Sequence, residues 1–161
     1  MPRLRTLCAA ASLFAALGCA GPPSGAYEGE HAPSVNGTTV DGRNAGLSSV
    51  AGKPAVMVFW ASWCGPCRRE APLVAQLAAD YGDRIGVIGV NAGEDAATAR
   101  AAAEALHMTW PVLLDVDGRI SADYEVEALP TLLVLDKDGI IRYRGHELPS
   151  DIHRLLDGLR G

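Results

Sequence analysis

The most constraining feature of the sequence is Trp63-Cys64-Gly65-Pro66-Cys67, which stands between a strand-like apolar run at 55–60 and a helical pattern. This position places two sulfurs at the start of a helix, where free amide N–H groups and the positive end of the helix dipole stabilise a thiolate. Cys64 is therefore the predicted nucleophile. Cys67 lies about one helical turn further on, so it can attack a mixed disulfide on Cys64 and release the partner. The pattern predicts a two-electron thiol-disulfide shuttle.

Two other roles of a CxxC pair fit this sequence less well. A closed zinc site needs four ligands, and the sequence has no second CxxC and no HxxxH pair; its four histidines are scattered. A purely structural disulfide of such short span closes a very small loop and constrains the unfolded chain little. Both considerations favour redox chemistry.

Length and charge limit the classes of protein to which the chain can belong. A chain of 161 residues with 48% hydrophobic and 20% charged residues is long enough for one globular domain. Its net charge is −5, and a chain beginning at Cys19 would lose Arg3 and Arg5 and carry 12 basic against 19 acidic groups. Nucleic acid is therefore not expected as a partner.

Residues 1–18 have the features of an export signal. Arg3 and Arg5 form a basic start, residues 7–17 form an apolar stretch too short to remain as a membrane span, and small residues close the segment. The sequence Ala16-Leu17-Gly18-Cys19 resembles a bacterial lipobox, which implies lipidation of Cys19 as the mature N-terminus. Ordinary secretory cleavage after Gly18, with a free thiol at Cys19, is the alternative.

The chain after the predicted cleavage divides into a short linker and a domain. Residues 19–29, rich in Gly and Pro, predict a flexible, lipid-anchored tether, and residues 30–161 predict the folded domain. Cys8 leaves with the signal and Cys19 is blocked by lipid, so Cys64 and Cys67 remain as the thiols of the domain. A domain with a single pair of thiols suits a protein that cycles one dithiol in an oxidising compartment.

Apolar periodicity predicts an α/β domain. The run at 55–60 is apolar throughout, as a central strand buried on both faces requires. Glu94 and Asp95 place negative charge at the start of an alanine-rich helix. Strands are predicted near 35–40, 55–60, 85–90, 112–114, 131–135 and 140–143. The first helix is predicted from the CxxC to Gly82, with Leu73, Val74, Leu77, Ala78 and Tyr81 on one face. Further helices are predicted at 96–106, from Asp117-Gly118 through Tyr124, and after a cap at Pro149-Ser150-Asp151.

With these elements placed, the chain resembles the TlpA and ResA family of thioredoxin-like thiol-disulfide oxidoreductases. The resemblance implies a thioredoxin-like α/β fold, with a central mixed β-sheet flanked by helices and an N-terminal strand or hairpin extension. The motifs that carry it are Gly52-Lys53-Pro54, the stretch from Phe59 through the CxxC to Pro72, Trp110-Pro111-Val112-Leu113-Leu114-Asp115, Leu129-Pro130-Thr131 and Asp136-Lys137-Asp138-Gly139.

The resemblance also implies a set of site residues around the cysteine pair. Pro130 is expected to follow a cis peptide bond and to lie against the CxxC, with backbone groups of Leu129 pairing with an extended substrate. Trp63, Gly65 and Pro66 are expected to border the substrate groove.

A carboxylate is expected beside the pair as well. Thioredoxin itself has a buried aspartate six positions before its first active cysteine, where this chain has Val58. Glu70, three residues after Cys67 on the same helix face, matches the carboxylate of ResA-like proteins. When partly buried, it can accept the proton of Cys67; a solvated glutamate in the first helical turn is the alternative.

The predicted function is reduction of disulfides in other envelope proteins, without cofactor or metal. By resemblance, the substrates are apocytochrome c or copper-delivery proteins, and a membrane thiol reductant supplies electrons. Two alternatives remain open at this point. The same residues suit a disulfide oxidant or isomerase, although Gly65-Pro66 resembles the reducing thioredoxin pair. The second alternative is a non-catalytic lipoprotein that binds Cu(I) through Cys64 and Cys67, although no methionine or histidine cluster adjoins the CxxC.

Overall fold

The protein is described here from a computed structural model, which covers residues 21–160. The predicted signal peptide and the predicted lipidation site, Cys19, lie outside the described residues. Within residues 21–160, no helix has the length and apolar character needed to cross a membrane.

A five-stranded mixed sheet forms the centre of the domain. Its spatial order is β5-β4-β3-β6-β7, with β3, β4 and β5 parallel and β6 and β7 antiparallel to their neighbours. A separate two-stranded hairpin, β1 and β2, precedes it and confirms the predicted N-terminal extension. The strands are β1 Asn36–Thr38, β2 Asn44–Gly46, β3 Ala55–Trp60, β4 Gly86–Ala92, β5 Val112–Asp115, β6 Thr131–Leu135 and β7 Ile141–Gly145.

In the part of the chain that the structure describes, residues 21–160, four α-helices cover the two faces of the sheet. They are α1 Gly65–Tyr81, α2 Ala96–Ala105, α3 Arg119–Asp123 and α4 Ile152–Leu159. Every residue of β3 is buried, with Val56, Val58 and Trp60 on one face and Ala55, Met57 and Phe59 on the other. The first face packs against α1, α2 and α4, and the second packs against α3. The predicted central strand and α/β architecture are therefore confirmed.

Two details of the helices differ from the sequence-based expectation. Leu73, predicted on the buried face of α1, is 56% exposed, because the buried stripe follows Cys67, Ala71, Val74 and Leu77 instead. Asp151 occupies the N-cap position of α4, but its carboxylate pairs with Arg154 at 2.5 Å and accepts no helix N–H.

Both lateral edges of the central sheet receive backbone partners from the N-terminal part of the chain. Beside β5, the amide N–H of Val40 donates to the carbonyl of Val112 at 2.9 Å. Beside β7, Gly29 and Glu30 exchange hydrogen bonds with Ile141, each 2.9 Å long. The edge strands are thus covered along part of their length.

The stretch 23–29, which the sequence predicted as part of a flexible tether, packs on the domain in the structure. Ala26 is buried, and its carbonyl accepts a hydrogen bond from Arg144 at 2.9 Å. The Tyr27 hydroxyl donates to the Glu125 carboxylate at 2.8 Å. The cause is a set of partners distant in sequence, which the Gly and Pro content of the stretch does not indicate. The domain boundaries at residues 18 and 29 stay predictions.

Candidate active site

The cysteine pair lies where β3 passes into α1. Cys64 is the N-cap residue of α1, and its sulfur accepts the amide N–H of Cys67 at 3.1 Å. The two cysteines form a disulfide, with their Cα atoms 5.3 Å apart. The sulfur of Cys64 therefore occupies the position where side-chain acceptors cap a helix and where the helix dipole favours negative charge. In the reduced protein, this environment stabilises a thiolate at Cys64.

The disulfide is almost fully buried and lies beside an exposed aromatic side chain. Cys64 and Cys67 are each only 3% exposed, whereas the neighbouring Trp63 side chain is 68% exposed. Pro66 is exposed and Gly65 is half-buried. An exposed indole ring beside an almost buried disulfide is an unusual surface feature and suits contact with another polypeptide chain.

The loop before β6 brings Pro130 to the same end of the sheet. Phe59 of β3 pairs with Thr131 of β6. Pro130, one residue before Thr131, therefore lies beside the end of β3. The CxxC follows that same end of β3. The Leu129–Pro130 peptide bond is cis, as predicted. Leu129 is half-buried and packs against the core cluster that contains both cysteines.

Glu70 lies on α1 one turn beyond Cys67 and is buried. Its Oε1 accepts the amide N–H of Leu148, from the segment before α4, at 2.5 Å. Val58 belongs to the apolar cluster that contains both cysteines, so the position of the thioredoxin aspartate is apolar here. Glu70 places a buried carboxylate on the helix that begins with the pair.

His146 is a neighbour of the site that the sequence did not indicate. Its Nδ1 lies 2.8 Å from the carbonyl oxygen of Pro130. Two residues later, Leu148 donates to Glu70. The segment 146–148 therefore connects the cis-proline loop with the helix that carries the CxxC.

Glu94 is a second residue whose place was not predicted. The sequence assigned it to the start of α2, but Asp95 caps that helix, and Glu94 turns towards the loop before the CxxC. Its carboxylate accepts the Ser62 amide N–H at 2.8 Å, the Ser62 hydroxyl, and the Asn91 side-chain amide at 2.7 Å. Partial burial raises the pKa of the Glu94 carboxyl, but the hydrogen bonds from Ser62 and Asn91 outweigh it and hold the pKa below its ordinary value.

We predict that Glu94→Ala destabilises the protein by about 2 kcal/mol at pH 7, because Ser62 and the fully buried Asn91 lose their acceptor. The pKa of Glu94 is lowered on folding, so its contribution is complete above the ordinary value of 4.5. The contribution is lost as the pH falls through the lower folded value. Urea unfolding should show a smaller wild-type advantage at pH 3 than at pH 7.

Glu104→Ala, which removes an exposed carboxylate of the adjacent helix α2, is the control for this prediction. It should leave the free energy of unfolding unchanged within about 0.5 kcal/mol at both pH values. Equal stability losses in the two variants would contradict the assigned role of Glu94.

Within residues 21–160, no group of three or more His, Cys, Asp or Glu side chains is arranged to hold a metal ion.

A disulfide at a helix N-terminus, a cis-proline loop at the same end of the sheet and a buried carboxylate one turn along the helix define a thiol-disulfide oxidoreductase of the thioredoxin type. Comparison with known proteins agrees with this class. Residues 27–156 match the Redoxin family model, and the chain belongs to this family.

Named relatives and a solved structure support the same assignment. The chain is similar to the thioredoxin-like protein YneN of Bacillus subtilis, with 38% identity over 73% of this chain and 71% of that protein. It is 31% identical to the thiol-disulfide oxidoreductase ResA of Geobacillus kaustophilus, over 82% of this chain and 78% of the relative. A secreted disulfide oxidoreductase of Mycobacterium tuberculosis superposes with a TM-score of 0.66 and 27% identity, over 78% and 93% of the two chains. The predicted ResA-like, thioredoxin-like fold and oxidoreductase activity are confirmed.

Proposed function

We propose that the protein is an exported, lipid-anchored reductant of disulfides in other envelope proteins. The observation that carries this proposal is the position of the Cys64 sulfur, which caps α1 and accepts the amide N–H of Cys67 at 3.1 Å. That position favours the thiolate that attacks a disulfide. By family resemblance, its substrates are apocytochrome c or copper-delivery proteins.

The proposed reaction transfers two electrons in two displacements. The Cys64 thiolate attacks one sulfur of the substrate disulfide, which forms a mixed disulfide and releases the other substrate sulfur as a thiolate that takes up a proton. Cys67 then gives its proton to Glu70 and attacks the Cys64 sulfur. The second substrate sulfur is displaced as a thiolate and takes up the proton that Glu70 accepted, so the substrate leaves as a dithiol and the Cys64–Cys67 disulfide is the oxidised product. A membrane thiol reductant returns two electrons and two protons to the pair.

Substrate binding is assigned to the surface that borders the sulfurs. Trp63 offers an exposed indole ring, and Gly65 and Pro66 form the turn between the two cysteines. Backbone groups of Leu129, before the cis-proline, pair with an extended segment of the substrate. Proline at position 130 has no N–H that would compete as a donor beside the sulfurs.

Location outside the cytoplasm is proposed from the N-terminal sequence. Residues 1–18 have the composition of an export signal, and Cys19 follows a lipobox-like tetrapeptide. The similar mycobacterial oxidoreductase is described as secreted. Membrane attachment through lipid on Cys19 would hold the domain beside membrane-bound donors and acceptors.

The direction of electron flow is tested by the reduction potential of the Cys64–Cys67 pair. Thioredoxin-fold dithiols range from about −270 mV for reductants to about −120 mV for strong oxidants. We expect equilibration of the purified protein with glutathione mixtures to give a value near the reducing end. A value near the oxidising end would replace the reductant by the oxidant alternative.

Glu70→Gln tests the proposed proton acceptor. The amide oxygen of glutamine can still accept the Leu148 N–H, so the fold around position 70 is retained while the proton acceptor is lost. We expect resolution of the mixed disulfide to slow by about 100-fold near pH 7 and to recover as the pH is raised, since solvent base then removes the Cys67 proton. Stopped-flow measurement of substrate release across pH 6–10 should show this recovery. A variant as fast as wild type at every pH would remove Glu70 from the mechanism.

A further inference from the structure

The end of the domain opposite the cysteine pair, here called the basal end, is where the parallel strands begin. β3 starts there at Ala55 and ends at Trp60, next to the CxxC, after a rise of about 17 Å. Lys53 precedes β3, and Lys137 lies in the turn between β6 and β7. α4 also ends at this level, because it starts beyond the far end of β7 and packs back along the sheet.

The basal end collects positive charge in a chain that is acidic as a whole. Lys53, Lys137, Arg84 and Arg160 line one shallow cleft of about 310 Å³, and Asp83 is the acidic residue among those lining it. The chain has a net charge of −5 and contains only two lysines, both in this cleft. Among the residues that line this cleft, four are therefore cationic and one is acidic.

Two of these four cations bind neutral carbonyl groups, which leave their charge uncompensated. Arg84 donates to the backbone carbonyls of Tyr81 and Asp80, and Lys53 donates to the carbonyl of Asp83 at 3.3 Å. Arg160 differs, since it pairs with the Asp157 carboxylate at 3.3 Å.

An apolar cleft adjoins the cationic one. Its volume is about 270 Å³, and its lining combines Leu47, Val50 and Leu135 with both lysines and with Asp136 and Asp138. Long cationic side chains at the rim of an apolar cleft are typical of proteins that rest on a membrane interface.

The N-terminal part of the chain joins the domain at the same end. The carbonyl of Pro23 accepts the amide N–H of His31 at 2.8 Å, and His31 forms a β-bridge with Ile140, in the turn that carries Lys137. Cys19 is four residues before Pro23, and four residues of fully extended chain span at most about 14 Å. A lipid on Cys19 would therefore hold the basal end against the bilayer.

We infer that the basal cleft formed by Lys53, Arg84, Lys137 and Arg160 docks on the phosphate-bearing headgroups of anionic lipids, and that this contact orients the anchored domain with its CxxC facing away from the membrane. The inference rests on the proposed lipid anchor. Ammonium and guanidinium groups bind phosphate oxygens by charge-assisted hydrogen bonds. The basal cleft provides these donors at the end of the domain that a lipid on Cys19 would hold at the membrane.

The test measures the reactivity of the two lysines at the bilayer. Mature full-length protein carrying Arg119→Lys is inserted into vesicles of phosphatidylcholine alone or of equal phosphatidylcholine and phosphatidylglycerol, and labelled with a membrane-impermeant amine-reactive ester. Position 119 starts α3 at the CxxC end and is 64% exposed, so it supplies a reference amine in the same molecule. Peptide mass spectrometry then gives three labelling rates.

We expect Lys53 and Lys137 to be labelled about fivefold more slowly in the anionic vesicles, with position 119 unchanged. Addition of 0.5 M salt should remove most of this protection by screening. Equal rates in the two kinds of vesicle would overturn the inference, as would the same protection by inorganic phosphate without vesicles, which would indicate a site for free anions.

The intact mass of the purified protein separates failure of this inference from failure of the anchor. A mass without lipid on Cys19 would refute the anchor and with it the inference, whatever the lysine rates. A lipidated protein whose lysines react equally in both vesicles would refute the docking alone. Reduction of insulin by the same preparation reports the redox activity independently of both outcomes.

Discussion

Cys67→Ala should retain attack on substrate disulfides but stall with the substrate bound to Cys64, whereas Cys64→Ala should lose disulfide reduction by at least about 10³-fold. The asymmetry follows from the helix: the Cys64 sulfur caps α1, and Cys67 lies inside its first turn. Without Cys67, no internal thiol releases the mixed disulfide. Non-reducing gels of the variant expressed in its host, followed by mass spectrometry of the trapped species, measure the effect and identify the substrates.

The double variant, with alanine at both positions, is the matched control and should trap nothing. Capture of partners by Cys64→Ala, with Cys67 as the attacking thiol, would reverse the proposed roles. Because the same experiment identifies the trapped proteins, it also tests whether apocytochrome c or copper-delivery proteins are among the substrates.

Phe59→Ala should give the largest loss of stability among the substitutions considered, about 3–5 kcal/mol. Phe59 is fully buried on β3, and its ring centroid lies 5.2 Å from that of Tyr124. Truncation removes an aromatic contact and leaves a cavity that the flanking strands cannot fill without moving. Urea unfolding of the oxidised protein, followed by far-UV circular dichroism, measures the change.

Leu73→Ala is the control for this prediction, since it removes a side chain of similar apolar character from the exposed face of α1. It should change the free energy of unfolding by no more than about 0.5 kcal/mol. A Phe59→Ala protein as stable as Leu73→Ala would show that this layer of the core is not tightly packed.

The elements that the sequence predicted well are those whose signal is local. The unbroken apolar run of β3 requires burial on both faces, and the structure buries all six residues. The position of the CxxC, between that strand and a helix, followed from neighbouring residues alone. The cis bond before Pro130 was different in kind, because family resemblance, not residue pattern, predicted it.

The contacts that the sequence did not predict join segments distant along the chain. Glu94 binds Ser62, 32 positions earlier, and His146 contacts Pro130, 16 positions earlier. Neither contact leaves a periodic pattern, since each depends on which loops the sheet order brings together. The stretch 23–29 shows the same limit, because its composition suggests mobility while Arg144 and Glu125 hold it in place.

An enzyme that binds extended polypeptides can aggregate with them, or with copies of itself, when strand edges are left unpaired. In this protein, Val40 already occupies a backbone position beside β5, and Gly29 and Glu30 occupy positions beside β7. Sideways growth of the sheet is thereby obstructed on both flanks. The proposed substrate contact, at the backbone of Leu129 before β6, lies at the end of the sheet and leaves both of these edges out of substrate binding.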